Sequence, residues 1–278
     1  LIERGSVIDG NKLAEKEFLQ NVLRKQLDSK GVRVKSRTTA FGVYDNTVVG
    51  ALERVTDFRI EKDFINVIKD QDIDFFVNRI HCYAPLTSEN LIKMSNTVTE
   101  ISEDILPNEK IDCVVYGCTS GTIAAGYDVI KKKVNLAKPE AKVTTPSTAA
   151  INALRKMNIK NISIFTPYSK ALNDDVVKYF ENQNFKITSN AYFDITNDLD
   201  IGKVDEDYLY KTLLEMDLGN ADCLFISCTA LPALSIIEKL EKKLNKVVLS
   251  SNQVLIWDTL QSIGKKSSID GFGKLFKN

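Results

Sequence analysis

Two α/β lobes, each built on a parallel sheet, with the active site in the cleft between them: this is the fold class the sequence predicts. Three observations predict it. From about residue 47, short apolar runs alternate with helical patterns, as expected for parallel strands covered on both faces. One segment occurs twice, as Asp112-Cys113-Val114-Val115-Tyr116-Gly117-Cys118-Thr119 and as Asp222-Cys223-Leu224-Phe225-Ile226-Ser227-Cys228-Thr229. A weaker repeat follows each copy. Val143-Thr144-Thr145-Pro146-Ser147 leads into a helix at Ala149, and Val248-Leu249-Ser250-Ser251-Asn252 leads into one at Val254.

The elements follow in order. Residues 11–29 read as an amphipathic helix with Phe18, Leu19, Val22, Leu23 and Leu27 on one face and Asp9 or Asn11 as its cap. Strands are expected at Val48–Val55, Ile73–Asn78, Cys113–Tyr116, Lys142–Thr144, Ile162–Phe165, Phe185–Phe193, Cys223–Ile226 and Val247–Leu249. Helical patterns between them include Ala149–Met157, Leu172–Gln183, Tyr208–Met216 and Leu234–Leu244. The reading divides the chain into an N-terminal extension at 1–46 and a first lobe at 47–144 plus 246–278. The second lobe takes 145–245. No low-complexity linker separates the lobes.

Composition narrows the function. Lys plus Arg and Asp plus Glu both number 37, so no net charge draws the chain to nucleic acid or to an anionic membrane. Lys131-Lys132-Lys133 fits a solvated face near a helix C-terminus. No apolar run approaches the roughly 18 residues of a membrane span. Leu1-Ile2-Glu3-Arg4-Gly5 has no apolar leader pattern and no initiating Met, so residues upstream and no secretory signal are expected. Five cysteines make an odd number with no dense framework, which favours a reducing, cytoplasmic setting.

The chemistry lies in the repeat. Ligands of open α/β sheets bind at the carboxyl ends of strands, and Cys118 and Cys228 stand where two strands stop. Gly117 permits a tight turn. The amides of Thr119, Ser120 and Gly121, and those of Thr229 and Ala230, would open the next segment toward a ligand. Such amide clusters bind carboxylates and developing enolates. A helix N-terminus also favours the thiolate. Cys113 and Cys223 lie mid-strand and read as core; Cys82 reads as structural. Zinc ligands sit about 2.3 Å from the ion, whereas five strand residues span roughly 16 Å, so Cys113 and Cys118 cannot share a metal. His81 is the one histidine and reads as a loop residue. No Gly-rich nucleotide loop follows a strand. Neither a metal nor a cofactor is expected. Tyr168, in Thr166-Pro167-Tyr168, stands at another strand end, where its hydroxyl can donate to a carboxylate or an oxyanion.

These residues resemble a known family. Tyr116-Gly117-Cys118-Thr119-Ser120-Gly121-Thr122, Thr145-Pro146-Ser147-Thr148-Ala149, Thr166-Pro167-Tyr168, Ser227-Cys228-Thr229-Ala230-Leu231 and Ser251-Asn252-Gln253 are similar to motifs of the maleate isomerase and arylmalonate decarboxylase group. That group sits in the aspartate/glutamate racemase superfamily. The match covers about residues 47–262 in the family's order. It implies two pseudo-symmetric lobes, no cofactor, a homodimer, and a small carboxylic acid held between Cys118 as nucleophile and Cys228 as acid and base. It assigns substrate binding to Thr119, Ser120, Thr229, Ala230 and Tyr168, with Asp57 and Asn197 as further substrate-binding candidates. Two places depart from the pattern. Asp57, in Thr56-Asp57-Phe58-Arg59, replaces a Pro-Ser-x-Asn loop, and a family asparagine falls near Asn197-Asp198.

Cis-trans isomerisation of a small dicarboxylate uses both cysteines. An aspartate- or glutamate-type racemase also needs two thiols, but its usual Cys-Asn-Thr and Cys-Thr-His motifs are absent. A malonate-type decarboxylase needs only the second cysteine. A small-acid binding protein needs neither.

Overall fold

The computed structural model describes residues 47–54, 59–265 and 267–277. The expected helix over 11–29, and Asp57 with its neighbours, lie outside the described residues. Asn46–Asn278 form one compact unit.

Among the described residues, eight strands make two four-stranded sheets. The first holds β1 (Thr47–Arg54), β2 (Ile73–Ile80), β3 (Cys113–Tyr116) and β4 (Lys142–Thr144), in the order β2-β1-β3-β4. The second holds β5 (Asn161–Thr166), β6 (Lys186–Tyr192), β7 (Cys223–Ile226) and β8 (Val247–Ser250), in the order β6-β5-β7-β8. Every pairing is parallel, and the strand order of one sheet repeats that of the other. The duplication read from the cysteine segments is therefore a duplication of topology. The strands β3 and β7 are buried at every residue, which explains their unbroken apolar sequence. At the sheet edge, β6 mixes exposed with half-buried positions.

Helices α1 (Arg59–Ile68), α2 (Ser88–Met94), α3 (Val98–Glu103), α4 (Thr119–Ala125), α5 (Tyr127–Ala137) and α6 (Pro146–Lys156) accompany the first sheet in sequence. With the second come α7 (Lys170–Asn182), α8 (Asp198–Ile201), α9 (Glu206–Glu215), α10 (Ile237–Leu244) and α11 (Ser251–Ser262). The two helices of the weaker repeat start earlier than their apolar patterns suggest, because their caps are polar. Thr145 caps α6, with Pro146 in its first turn. Ser250 and Gln253 form a reciprocal capping box on α11.

One boundary from the sequence is corrected. Residues 246–278 were expected to return to the first lobe, but β8 pairs with β7 and completes the second sheet. Only the helix after it crosses over: α11 packs on β3, β4, α1 and α6. Its apolar residues Val254, Leu255, Ile256, Trp257 and Leu260 are all buried, as befits a helix enclosed on most sides.

The C-terminal tail is fastened to this centre. Gln253 Nε2 donates to the Phe272 carbonyl at 2.6 Å, and the Lys274 amide donates to Glu241 Oε2 at 2.9 Å. Between them Gly273 has φ +90, and a Cβ there would lie 2.6 Å from Ile237 Cγ2 and 2.9 Å from Gln253 Nε2. Gly273→Ala is expected to destabilise the fold by about 1–3 kcal/mol, read as a lower urea midpoint. An unchanged midpoint would mean that the tail yields freely.

Candidate active site

Both cysteine turns sit at the carboxyl ends of central strands. After β3 the chain stops at Cys118, which has extended backbone and caps α4. Its Sγ accepts the Gly121 amide at 3.2 Å. After β7, Cys228 Sγ accepts the Ala230 amide at 3.4 Å. Each sulfur thus receives one backbone N–H from its own turn. This corrects one expectation: the Gly121 and Ala230 amides point at the sulfurs rather than at a ligand. Thr119 and Ser120 occupy the first two positions of α4, where helix geometry provides no partner for an amide within the helix.

The turns differ in backbone. Cys228 has φ +144, a conformation that side chains avoid, whereas Cys118 has φ −144. Strain of this kind costs on the order of 1–3 kcal/mol and persists only where neighbours enforce it.

The two turns abut through their threonines. Thr119 Oγ1 donates to Ser251 Oγ at 2.9 Å, and the same oxygen accepts the Cys228 amide at 3.0 Å. In return, Thr229 Oγ1 donates to the Gly117 carbonyl at 3.2 Å. Both hydroxyls therefore hold the halves together. Next along α11, Asn252 Nδ2 donates to the Thr229 carbonyl at 3.0 Å and to Asp63 Oδ2 at 2.8 Å. The sequence reading placed Ser251 and Asn252 in the weaker repeat and among the family motifs, without a role. Their place after β8, the neighbour of β7, is the signal that would have assigned them this work.

Around Cys118 the packing leaves no slack. A Cβ on Gly121 would fall 2.8 Å from Cys118 Sγ, 2.9 Å from Met94 Cε and 2.9 Å from Tyr116 Oη. The Tyr116 phenol, fully buried, thus shares one small volume with the sulfur. Sequence reasoning had treated Tyr116 as strand core. Its position at the last residue of β3, two before Cys118, was the available clue.

Tyr168 lies just past the end of β5, which pairs with the Cys228 strand, and is 1% exposed. Its carbonyl accepts the Asp194 amide at 3.1 Å. Asn197 Oδ1 accepts the Leu199 amide at 3.0 Å and so caps α8, leaving its amide group to face other partners. Asp57 falls outside the described residues. The loops after β2 and β6 meet where the Leu86 amide donates to the Thr196 carbonyl at 2.8 Å, and beside them Ser88 Oγ of α2 donates to Asp175 Oδ2 of α7 at 2.8 Å. Cys118 and Cys228 are each 1% exposed, so the site is closed in this conformation. A cavity of about 840 Å³ opens elsewhere, at the amino end of β4, beside Asp112, Lys138 and Lys142. Neither Cys118 nor Cys228, nor Tyr116, Tyr168 or Asn197, lines it.

The remaining thiols behave differently. Burial pushes Cys113 up from the ordinary 9.0 to about 11. Cys223 is pushed up further by burial and by Glu241. Both are core, as their mid-strand positions imply. Cys82 is half-buried, and exposed His81 packs edge-on against Tyr83. Between about pH 9 and pH 11 the unfolded chain releases the Cys113 proton while the folded chain keeps it. The native state then binds more protons, so stability falls as pH rises through that window. The urea midpoint is expected to decline there, and Cys113→Ala to flatten the decline. An equal slope in the variant would exclude Cys113 as the cause.

Fold and geometry together define a duplicated α/β protein in which the two cysteine-bearing turns abut. The chain belongs to the arylmalonate decarboxylase family, whose profile matches residues 127–276. It is similar to the maleate isomerase of Geobacillus stearothermophilus, 26% identical over 198 residues, covering 68% of this chain and 78% of that protein. It is also 26% identical over 140 residues to the arylmalonate decarboxylase of Bordetella bronchiseptica, covering 48% and 57%. Among solved structures, a Nocardia farcinica maleate cis-trans isomerase variant with a covalently bound succinylcysteine intermediate superposes with a TM-score of 0.77. The identity there is 18%, over 83% of this chain and 98% of that one. Unliganded arylmalonate decarboxylase superposes with a TM-score of 0.67 at 20% identity, over 83% and 98%.

Proposed function

We propose that this protein is a cofactor-independent cis-trans isomerase of a small dicarboxylate, of the maleate isomerase kind. The observation that carries the reading is the pair of buried sulfurs at equivalent strand ends, each accepting a backbone N–H. A binding protein has no need of two such thiols, and a decarboxylase needs only one. The maleate isomerase relatives, and the cysteine adduct trapped in one of them, support the same reading.

In the proposed reaction, the Cys118 thiolate attacks one alkene carbon of maleate. A C–S bond forms, and the π pair moves onto the far carboxylate as an enediolate. The Cys228 thiol protonates the adjacent carbon and becomes a thiolate. Rotation about the new single bond follows. Cys228 then removes a proton, the double bond re-forms, and Cys118 leaves with the C–S electron pair, giving fumarate. The amides of Thr119 and Ser120 on one side, and of Thr229 on the other, take the carboxylates. The Tyr168 hydroxyl and the Asn197 amide group donate to the same substrate. The Ala230 amide serves Cys228 rather than the substrate. A homodimer working in a reducing cytoplasm completes the proposal, and light scattering of the purified chain tests the oligomer.

The family's name supports a second reading, decarboxylation of a malonate through Cys228. Proton NMR in D₂O with maleate, an arylmalonate and both aspartate enantiomers separates the possibilities. Fumarate formed by the wild type, and by neither Cys118→Ala nor Cys228→Ala, is the expected result. Loss of CO₂ from the malonate that survives Cys118→Ala would replace isomerase with decarboxylase. Deuterium entering aspartate without fumarate would replace it with racemase.

A further inference from the structure

The two cysteine turns stand at equivalent strand ends but draw on different residues from the repeat that follows each. In the first half the residue after the cap of α6 is Pro146, which has neither a hydroxyl nor an N–H. In the second half the matching residue, after the cap of α11, is Ser251. Its side chain is fully buried, and its oxygen accepts from Thr119 Oγ1 at 2.9 Å and from the Cys228 amide at 3.0 Å. Cys228 is also the cysteine held at φ +144.

We propose that Ser251 is a positioning residue. Its hydroxyl anchors the strained Cys228 backbone to the Cys118 turn and so sets where the Cys228 sulfur stands relative to Cys118. The inference rests on the reading of Cys228 as the acid and base of an isomerase.

The physical argument has three parts. A positive φ at a side-chain-bearing residue relaxes unless its neighbours prevent it. Here one neighbour holds the amide before the Cys228 side chain. The next residue, Asn252, holds the carbonyl of Thr229 beyond it at 3.0 Å. Gripped on both sides, the Cα–Cβ direction of Cys228 has no freedom to swing. Ser251 also takes the hydroxyl of the residue that follows Cys118, so one oxygen refers both turns to the same point. The mirror contact, Thr229 Oγ1 to the Gly117 carbonyl at 3.2 Å, holds the peptide group that joins Gly117 to Cys118. The Ser251 oxygen meets the Cys228 amide of its own half and the Thr119 hydroxyl of the other. A proton donor displaced by about 1 Å costs on the order of 10²-fold in rate. Loss of this one hydroxyl should therefore be felt in chemistry more than in binding.

The test uses the full chain as wild type, Ser251→Ala, Ser251→Thr and Thr119→Val. Two quantities are measured. One is turnover of maleate, resolved into kcat and KM. The other is the site-resolved rate of iodoacetamide labelling at Cys118 and Cys228 by peptide mass spectrometry. Ser251→Ala is expected to lower kcat by about 10²-fold with KM changed less than about threefold. It is expected to change the Cys228 labelling rate by at least about fivefold relative to Cys118. Ser251→Thr, which keeps the hydroxyl, is expected to recover most of both. Equal labelling ratios in wild type and Ser251→Ala would overturn the inference, as would an alanine and a threonine variant that behave alike. Should Ser251→Ala fail to fold, Thr119→Val removes one arm of the same bridge. An unchanged Cys228-to-Cys118 ratio in that variant overturns the link between the turns. The labelling arm needs no substrate, so a wild type inactive on maleate would reject the isomerase reading while leaving Ser251 decided by its own result.

Discussion

Cys118→Ala is expected to lower the rate of fumarate formation from maleate by at least about 10⁴-fold while leaving the cooperative thermal transition in place. Deleting a covalent nucleophile typically costs this much or more. The cysteine's other role is to cap α4 through the Gly121 amide, and losing a cap costs about 1 kcal/mol. The loss should therefore be chemical and not structural. Cys228→Ala is expected to approach the same loss, but with a diagnostic difference. Its intact Cys118 should still be alkylated by iodoacetamide, and dicarboxylates should protect it. The double variant should lose little beyond either single one, because groups acting in one sequence of steps are not additive. Near-normal turnover in Cys118→Ala would remove the nucleophile from the mechanism and with it the isomerase reading. Full activity in Cys228→Ala would reassign the proton transfer to another group, with the Tyr116 phenol next in line by position.

Gly121→Ala carries the second large effect. One methyl group placed there meets a sulfur, a methionine methyl and a phenol oxygen, all at 2.8–2.9 Å. Real Cβ atoms do not sit so close, so at least one of the three must move. The Met94 tip is flexible and can yield. The phenol is anchored through its strand, and the sulfur is the proposed nucleophile. A displacement of a few tenths of an ångström at the sulfur, together with a longer hydrogen bond to residue 121, is expected to cost about 10²-fold in kcat. The overpacking itself should cost about 1–3 kcal/mol of stability. Met94→Ala, made in the same chain, gives the methyl room. Recovery of activity in the pair would place the loss in the crowding. No recovery would place it in the backbone of α4.

Much of this was legible in the residues. All eight strands fall within two residues of their expected ends, because fully buried parallel strands write themselves as short unbroken apolar runs between helices. The repeat fixed the two thiols at strand ends before any coordinates. Other things were not legible, for physical reasons. The position of β8 depends on which sheet edge it joins, and its sequence, Val247-Val248-Leu249-Ser250, suits any buried edge equally. The directions of the threonine hydroxyls, the Gly121 amide and the Ala230 amide are set by turn geometry below the resolution of a motif. The strain at Cys228 leaves no trace at all, since cysteine is not a residue that advertises positive φ. The Asn197 carboxamide was read as a ligand group and is in part a helix cap, a use that asparagine serves just as well.

The path of α11 has a consequence for how this molecule can be taken apart. Its preceding strand finishes one sheet, yet the helix itself lies against β3 and β4 of the other. Neither half owns a complete interior. A gene cut between the repeats would strip the front half of its central helix, and would leave the rear half displaying an apolar rod, Val254 to Leu260, with nothing to lie on. The halves are expected to melt in one step, to fail as separately expressed fragments, and to resist exchange between relatives one lobe at a time. Whatever ancestor was doubled to make this chain, the copies have since become interdependent.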